Sequence, residues 1–190
     1  MKNKKGLIIA LAFIAVIAIF AGSIVPSYNS LVDERETVTN AQANIQTMLQ
    51  RRADLIPNLV NTVKGYAAHE EEVYTAIADA RSKLSGATTV DEMEKANSEL
   101  DSAISRLLVV VENYPELKAD TQFINLQDEL AGSENRISVA RKDYNDVAKA
   151  YNTHIKKFPA NIIASMFNFE QAEYFEASSE AQTAPSVNFD

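Results

Sequence analysis

The chain contains no cysteine, two histidines, five glycines and five prolines in 190 residues. Without cysteine there is no disulfide, iron–sulfur cluster, thiolate zinc site, cysteine nucleophile or lipoprotein attachment, and the redox compartment is left undecided. Turn residues are too sparse for an all-β sandwich, which needs a turn signal about every 8–12 residues. What is present is 46% hydrophobic and 23% charged sequence, enough for one domain built from long helices with few breaks.

The histidines carry no recognisable chemistry. His69-Glu70 opens a zincin-like pattern, but the second imidazole would have to stand four residues after the first, where Val73 is found. Carboxylate-bridged metal bundles place a glutamate three residues before each histidine, and here those positions are Tyr66 and Tyr151. Isolated glycines build neither a P-loop nor a G-x-G-x-x-G turn, and a serine triad lacks its choice of base. The expectation is a protein that is not an enzyme and carries no metal or cofactor. Nucleic acid is also excluded as a partner. Lys2, Lys4 and Lys5 precede the first apolar run, which leaves 15 basic against 26 acidic residues in the remainder.

Leu7 to Val25 is a run of 19 uncharged residues, interrupted only by Gly22 and Ser23. A helix needs roughly 20 such residues to span a bilayer. A cleaved signal peptide ending near Ala21-Gly22-Ser23 is the competing reading, but the run exceeds the usual apolar core of about 7–15 residues. Residues 1–26 are therefore assigned to a transmembrane anchor. Three lysines stand before it and only Arg35, among Asp33, Glu34 and Glu36, soon after it. The positive-inside rule then places the N-terminus in the cytoplasm and the body outside.

Residues 27–176 read as an all-α, elongated antiparallel helical bundle of coiled-coil character. Leu31, Val38, Ala41, Ile45 and Met48 form one stripe of a helix from Tyr28 to about Arg52. Asp54 as N-cap and Pro57 in the first turn predict a second helix from Leu55 to about Leu84. A helix kinked at Pro57 is the alternative, giving three long helices instead of four. Thr89 and Glu92 have capping-box spacing, and heptads continue from Val90 to a break at Tyr114-Pro115. Glu116 to about Phe158 carries the most sustained period, from Phe123 through Ile137 and Tyr151 to His154. Beyond Pro159, the aromatic stretch to Phe175 predicts a short final helix that folds back on the bundle or meets a membrane surface or partner. Residues 177–190, polar and acidic, read as a disordered tail.

Several polar residues fall where a bundle prefers apolar ones. Arg51, Arg52 and Asp54 precede Asn58; Glu134 and Asn135 precede Arg141; and Tyr-Asn occurs at 28–29, 144–145 and 151–152. Two readings apply, a network that fixes helix register and a surface for docking a partner. The candidate residues are Arg51, Arg52, Asp54, Asn58, Tyr66, Tyr114, Glu134, Asn135, Arg141, Tyr144 and Asn145.

The same residues carry a resemblance. Arg51-Arg52-Ala53-Asp54-Leu55-Ile56-Pro57-Asn58, Lys64-Gly65-Tyr66-Ala67, Tyr114-Pro115-Glu116-Leu117-Lys118, Glu134-Asn135-Arg136-Ile137 and Arg141 with Tyr144-Asn145 together resemble the LemA family of bacterial membrane proteins. The resemblance implies a transmembrane helix followed by a helical bundle and assigns no catalytic residues. Some relatives are associated with envelope stress, membrane proteases or magnetosome formation, and the bundle has also been placed in the cytoplasm, against the charge argument. The expected function is a single-pass scaffold or adaptor in the bacterial inner membrane. Its partners would be envelope proteins, a membrane protease among them, or copies of itself. The alternative is an envelope sensor that binds a small ligand or metal in the polar seam around Arg52, Asp54 and Glu134.

Overall fold

The first helix, α1, runs without a break from Lys2 to Lys64, in a computed structural model that describes the backbone of residues 2–176. Side chains are described from Ile24 onward, and before it at Ile8, Leu11, Phe13, Ile14 and Gly22. The other helices are α2 (Glu71–Gly86), α3 (Val90–Val111), α4 (Pro115–Lys118), α5 (Thr121–His154) and α6 (Ala160–Met166). The described residues are thus all-helical, without strands. Among them no helix is long and apolar enough to cross a membrane. The expected span, Leu7–Val25, lies largely outside the described side chains, and the expected tail, 177–190, lies outside the described residues altogether.

The first helix does not end near Arg52, and Asp54 is not an N-cap. Proline in a helix interior lacks the N–H that would bond the carbonyl four residues back. For Pro57 that carbonyl belongs to Ala53, and Arg81 Nε from α2 donates to it at 2.9 Å. The lost bond is replaced from outside, and the helix continues, as in the alternative reading of one helix running through Pro57. The break comes instead after Lys64, where the helix-weakening Gly65 stands and the N–H groups of Tyr66 and Ala67 both turn back to the Val63 carbonyl, at 3.0 and 2.9 Å. The expected helix from Leu55 to Leu84 is therefore divided between the end of α1 and α2. Tyr74 fastens the turn by donating to the Ala67 carbonyl at 2.6 Å. Burial, then the charge of Glu70, raises its phenol above the ordinary pKa.

Between α2 and α3 the predicted capping box is complete. Thr89 Oγ1 accepts from the Glu92 N–H at 3.2 Å, and Glu92 Oε2 accepts from the N–H groups of Thr88 and Thr89 at 2.9 and 3.1 Å. Those donors hold the Glu92 carboxyl below its usual range. The break at Tyr114-Pro115 occurs as expected, but α5 begins at Thr121 and not at Glu116. Asp120 caps it, accepting from the N–H groups of Gln122 and Phe123 at 2.8 and 3.0 Å.

The chain forms two compact units, one of Met1–Asn40 with Asp146–Ala172, the other of Ala41–Asn145 with the segment from Glu173. In the second unit α2 returns along α1, since Arg81 meets Ala53 while Lys64 lies over the Tyr74 ring at 4.8 Å. α3 then runs back along α2, and Lys83 meets Glu99 at 2.6 Å. Ile45, Ile56, Leu59, Ile77, Met93, Leu100, Leu107, Phe123 and Ile137 are buried together as this unit's core.

In the first unit Leu31 and Val38 of α1, Ala148 and Tyr151 of α5 and Ile163 of α6 are buried. The final helix stops at Met166, short of the expected Phe175. Asn168 adopts a left-handed φ of 55°, and the Phe169 N–H bonds the Ala164 carbonyl at 2.9 Å. This is a Schellman closure with asparagine in the place that glycine commonly takes. The chain then continues to Glu176 without regular secondary structure.

Candidate functional site

Arg52 occupies a buried position of the α1 stripe between Leu49 and Ile56 and is only 5% exposed. A guanidinium out of water costs several kcal/mol unless its donors are met by charges or good acceptors. Arg52 Nη1 lies 2.7 Å from Asn97 Oδ1 and 2.7 Å from Glu134 Oε2, and Nη2 bonds Asp101 Oδ1. Asn97 Nδ2 donates to the other Asp101 oxygen at 3.0 Å, which fixes its own orientation. One arginine of α1 thereby meets two residues of α3 and one of α5. The Asp101 and Glu134 side chains remain 42% and 40% exposed, so both carboxylates keep part of their hydration. The planar fork suits this use, because its donors point in fixed directions that only one sliding position of each neighbouring helix can satisfy.

The second polar feature is a pair of Tyr-Asn clamps on α5. In the second unit Asn145 Nδ2 donates to the Phe175 carbonyl at 2.8 Å, and its Oδ1 accepts from the Phe175 N–H at 3.0 Å. Tyr144 donates to the Glu173 carbonyl at 2.9 Å. The Phe175 ring meets Tyr144 edge-on at 5.3 Å between centroids and lies beneath the Arg141 guanidinium at 5.4 Å. Burial and then the Glu173 charge raise the Tyr144 pKa, which keeps the phenol a donor.

In the first unit the arrangement repeats: Asn152 exchanges bonds of 2.8 Å with the N–H and carbonyl of Ala172, and Tyr151 donates to the Glu170 carbonyl at 2.9 Å. The pairs are seven residues apart on the helix, and their partners are three apart on the irregular segment. Each asparagine does for the backbone of one residue what a neighbouring antiparallel strand would do, satisfying its N–H and its carbonyl together.

The remaining sequence candidates are dispersed. Arg51 is exposed. Asp54 faces outward and accepts from Gln50 Nε2 at 2.9 Å. Asn58 is exposed and its carbonyl accepts from Thr62. Tyr66 donates to Asp120 Oδ2 at 3.0 Å, and Tyr114 precedes α4 as its N-cap. Asn135 lines a shallow groove with Asn44, Met48 and Val139. The structure thus joins Arg52 with Glu134, and Tyr144 with Asn145 and Arg141, but leaves Asp54 outside the seam. Sequence reasoning did not select Asn97 as a polar partner, although its place on the α3 apolar stripe was the available signal. It did not select Asp101, which lies off that stripe. Tyr151-Asn152 was visible as a repeat of Tyr144-Asn145. His154 Nδ1 lies 2.7 Å from Glu34 Oε1, across 120 residues of sequence, and nothing local announces that pair. No group of three or more His, Asp or Glu side chains suited to a metal ion occurs among the described residues.

A sequence model of the LemA family matches residues 41–189. Protein LemA of Metamycoplasma hominis is 30% identical over 170 residues, covering 88% of this chain and 77% of that protein. Magnetosome protein MamQ 2 of Paramagnetospirillum magneticum is 28% identical over 207 residues, covering 94% of this chain and 76% of its own. Magnetosome protein MamQ of Magnetospirillum gryphiswaldense is 25% identical over 203 residues, at 93% and 74% coverage. The match over 41–189 takes in both the Arg52 seam and the Tyr-Asn clamps, and with it the chain belongs to the LemA family.

Proposed function

We propose that this protein is a single-pass, membrane-anchored helical scaffold of the bacterial inner membrane that presents its helices to other envelope proteins or to copies of itself. The observation that carries this reading is the continuity of α1, which contains the apolar run and extends without interruption to Lys64. Ile8, Leu11, Phe13 and Ile14 are 57–67% exposed on that helix, and four large apolar side chains left bare in seven residues need a non-aqueous environment. The lysines before the run put its N-terminus in the cytoplasm and the helical body outside.

Crosslinking in native membranes followed by mass spectrometry should trap stable partners, a membrane protease being one candidate. A chain that stays monomeric and partner-free in intact membranes would overturn the scaffold reading. Orientation is tested by Asn40→Cys, which an impermeant thiol reagent should label in intact cells.

A second reading, a sensor for a small ligand, has in its favour an open groove of about 340 Å³ bordered by Arg52, Leu59, Ile104 and Glu134. Stabilisation of the purified protein in a thermal-shift screen would support it.

A further inference from the structure

The outer face of α6 is unusually apolar for a short helix. Ala160, Ile163 and Ala164 are buried, while Ile162 and Met166, one turn apart on the opposite side, are 44% and 65% exposed. Phe158 on the turn that enters α6 is 80% exposed, and Phe167 at its end is 50% exposed. Four large apolar residues are thus bare within ten positions, with Phe158, Ile162 and Met166 at successive spacings of four. α6 itself contains no charged residue, and the exposed Lys156 and Lys157 immediately precede Phe158.

The position of this patch along α1 identifies what covers it. The Phe167 ring lies 4.8 Å from that of Tyr28, and Phe169 lies 5.7 Å from it. Tyr28 is three residues beyond Val25, the end of the apolar run. Three residues of helix rise about 4.5 Å, and the headgroup zone on each side of the hydrocarbon is about 5–8 Å deep. Tyr28 and the aromatic end of α6 therefore stand at the depth where tyrosine and other amphipathic rings concentrate. The acidic residues that follow, Glu170, Glu173 and Glu176, lie after α6, on the segment whose backbone Tyr151 and Tyr144 hold.

We propose that α6 with its entering turn is an interfacial element. Its Phe158, Ile162, Met166 and Phe167 face rests in the surface of the leaflet from which α1 emerges, with Lys156 and Lys157 directed to anionic headgroups. The inference rests on the anchor reading of Leu7–Val25.

The test uses the full-length protein in phosphatidylcholine vesicles containing phosphatidylglycerol, with an environment-sensitive fluorophore on a single introduced cysteine. The natural chain has no cysteine, so each label is unique. Ile162→Cys and Met166→Cys should lose most of their emission to lipids with a nitroxide near the headgroup. Val16→Cys should respond to a nitroxide deep in the acyl chain, and Thr39→Cys, 14 residues beyond Val25, to neither. If Val16→Cys is quenched but positions 162 and 166 behave like position 39, the anchor stands and the interfacial helix is refuted. If Val16→Cys is not quenched, the anchor reading fails and takes this inference with it. Disulfide-linked dimers through Met166→Cys, formed in place of quenching, would assign the face to a second copy and refute contact with lipid.

Discussion

Arg52 and Asn145 both secure pieces of the second unit, and they do so by opposite means. Arg52 is a buried charge on a helix that needs the carboxylates of two other helices to be tolerable at all. Asn145 is a neutral amide that needs only the N–H and carbonyl of one residue, Phe175, in a segment lacking its own hydrogen-bond ladder. A charge seam is costly when broken and specific to one helix register; an amide clamp contributes less and reads backbone groups, not side chains. The comparison predicts a graded series of losses.

Arg52→Ala strands Asp101 and Glu134 beside a cavity and should cost about 3 kcal/mol, the lower end for a broken buried pair because both acids are part-exposed. A shift of the denaturation midpoint at unchanged slope would register it, and a loss below about 1 kcal/mol would show that the seam does not hold the helices. Asn145→Ala removes both bonds to Phe175 and should cost about 2 kcal/mol, with faster proteolysis near Phe175 and not within α3. Tyr144→Phe, which deletes one donor, should cost about 1 kcal/mol.

Alkaline titration sharpens the clamp side of the contrast. Tyr144 and Tyr151 are raised by burial, the first also by Glu173 and the second also by Glu34 and Glu170 against the opposing Arg35. The folded protein then holds phenolic protons that the unfolded chain releases above about pH 10. Stability from these groups is complete below that value and declines as pH climbs toward the folded pKa values. Ultraviolet difference spectra should show their ionisation later than that of exposed tyrosine, and in Tyr144→Phe the alkaline loss should be smaller. The smallest expected effect lies outside both features: Thr89→Ala removes one cap acceptor and should cost about 0.5–1 kcal/mol, leaving both seam and clamps intact.

Periodicity was a good guide wherever the apolar spacing was uninterrupted. The break at Pro115, the capping box at Thr89 and Glu92, and the sustained helix through Tyr151 are all local patterns, and they are present in the fold. The errors came where a distant group supplied what the local sequence withheld. Pro57 allows both a helix start and a helix that runs on, because its missing bond is local, whereas the donor that replaces it, Arg81 in α2, lies 28 residues from the Ala53 carbonyl. The aromatic stretch after Pro159 reads as one helix because Asn168 gives no sign of a left-handed turn. Of the polar candidates, Glu134 could be paired with Arg52 only as a general expectation of a seam. Asn97 and Asp101 became legible as its partners once α3 was placed against α1.

The bond from Arg81 to the Ala53 carbonyl also ties the persistence of α1 to its neighbour. Past Pro57 that helix is not a self-sufficient local structure, since one rung of its ladder belongs to α2. Opening of the α2–α3 hairpin would withdraw the rung, so hydrogen exchange of the amides between Asn58 and Lys64 should follow the hairpin's opening and not the slower opening of the α1 stretch before Ala53.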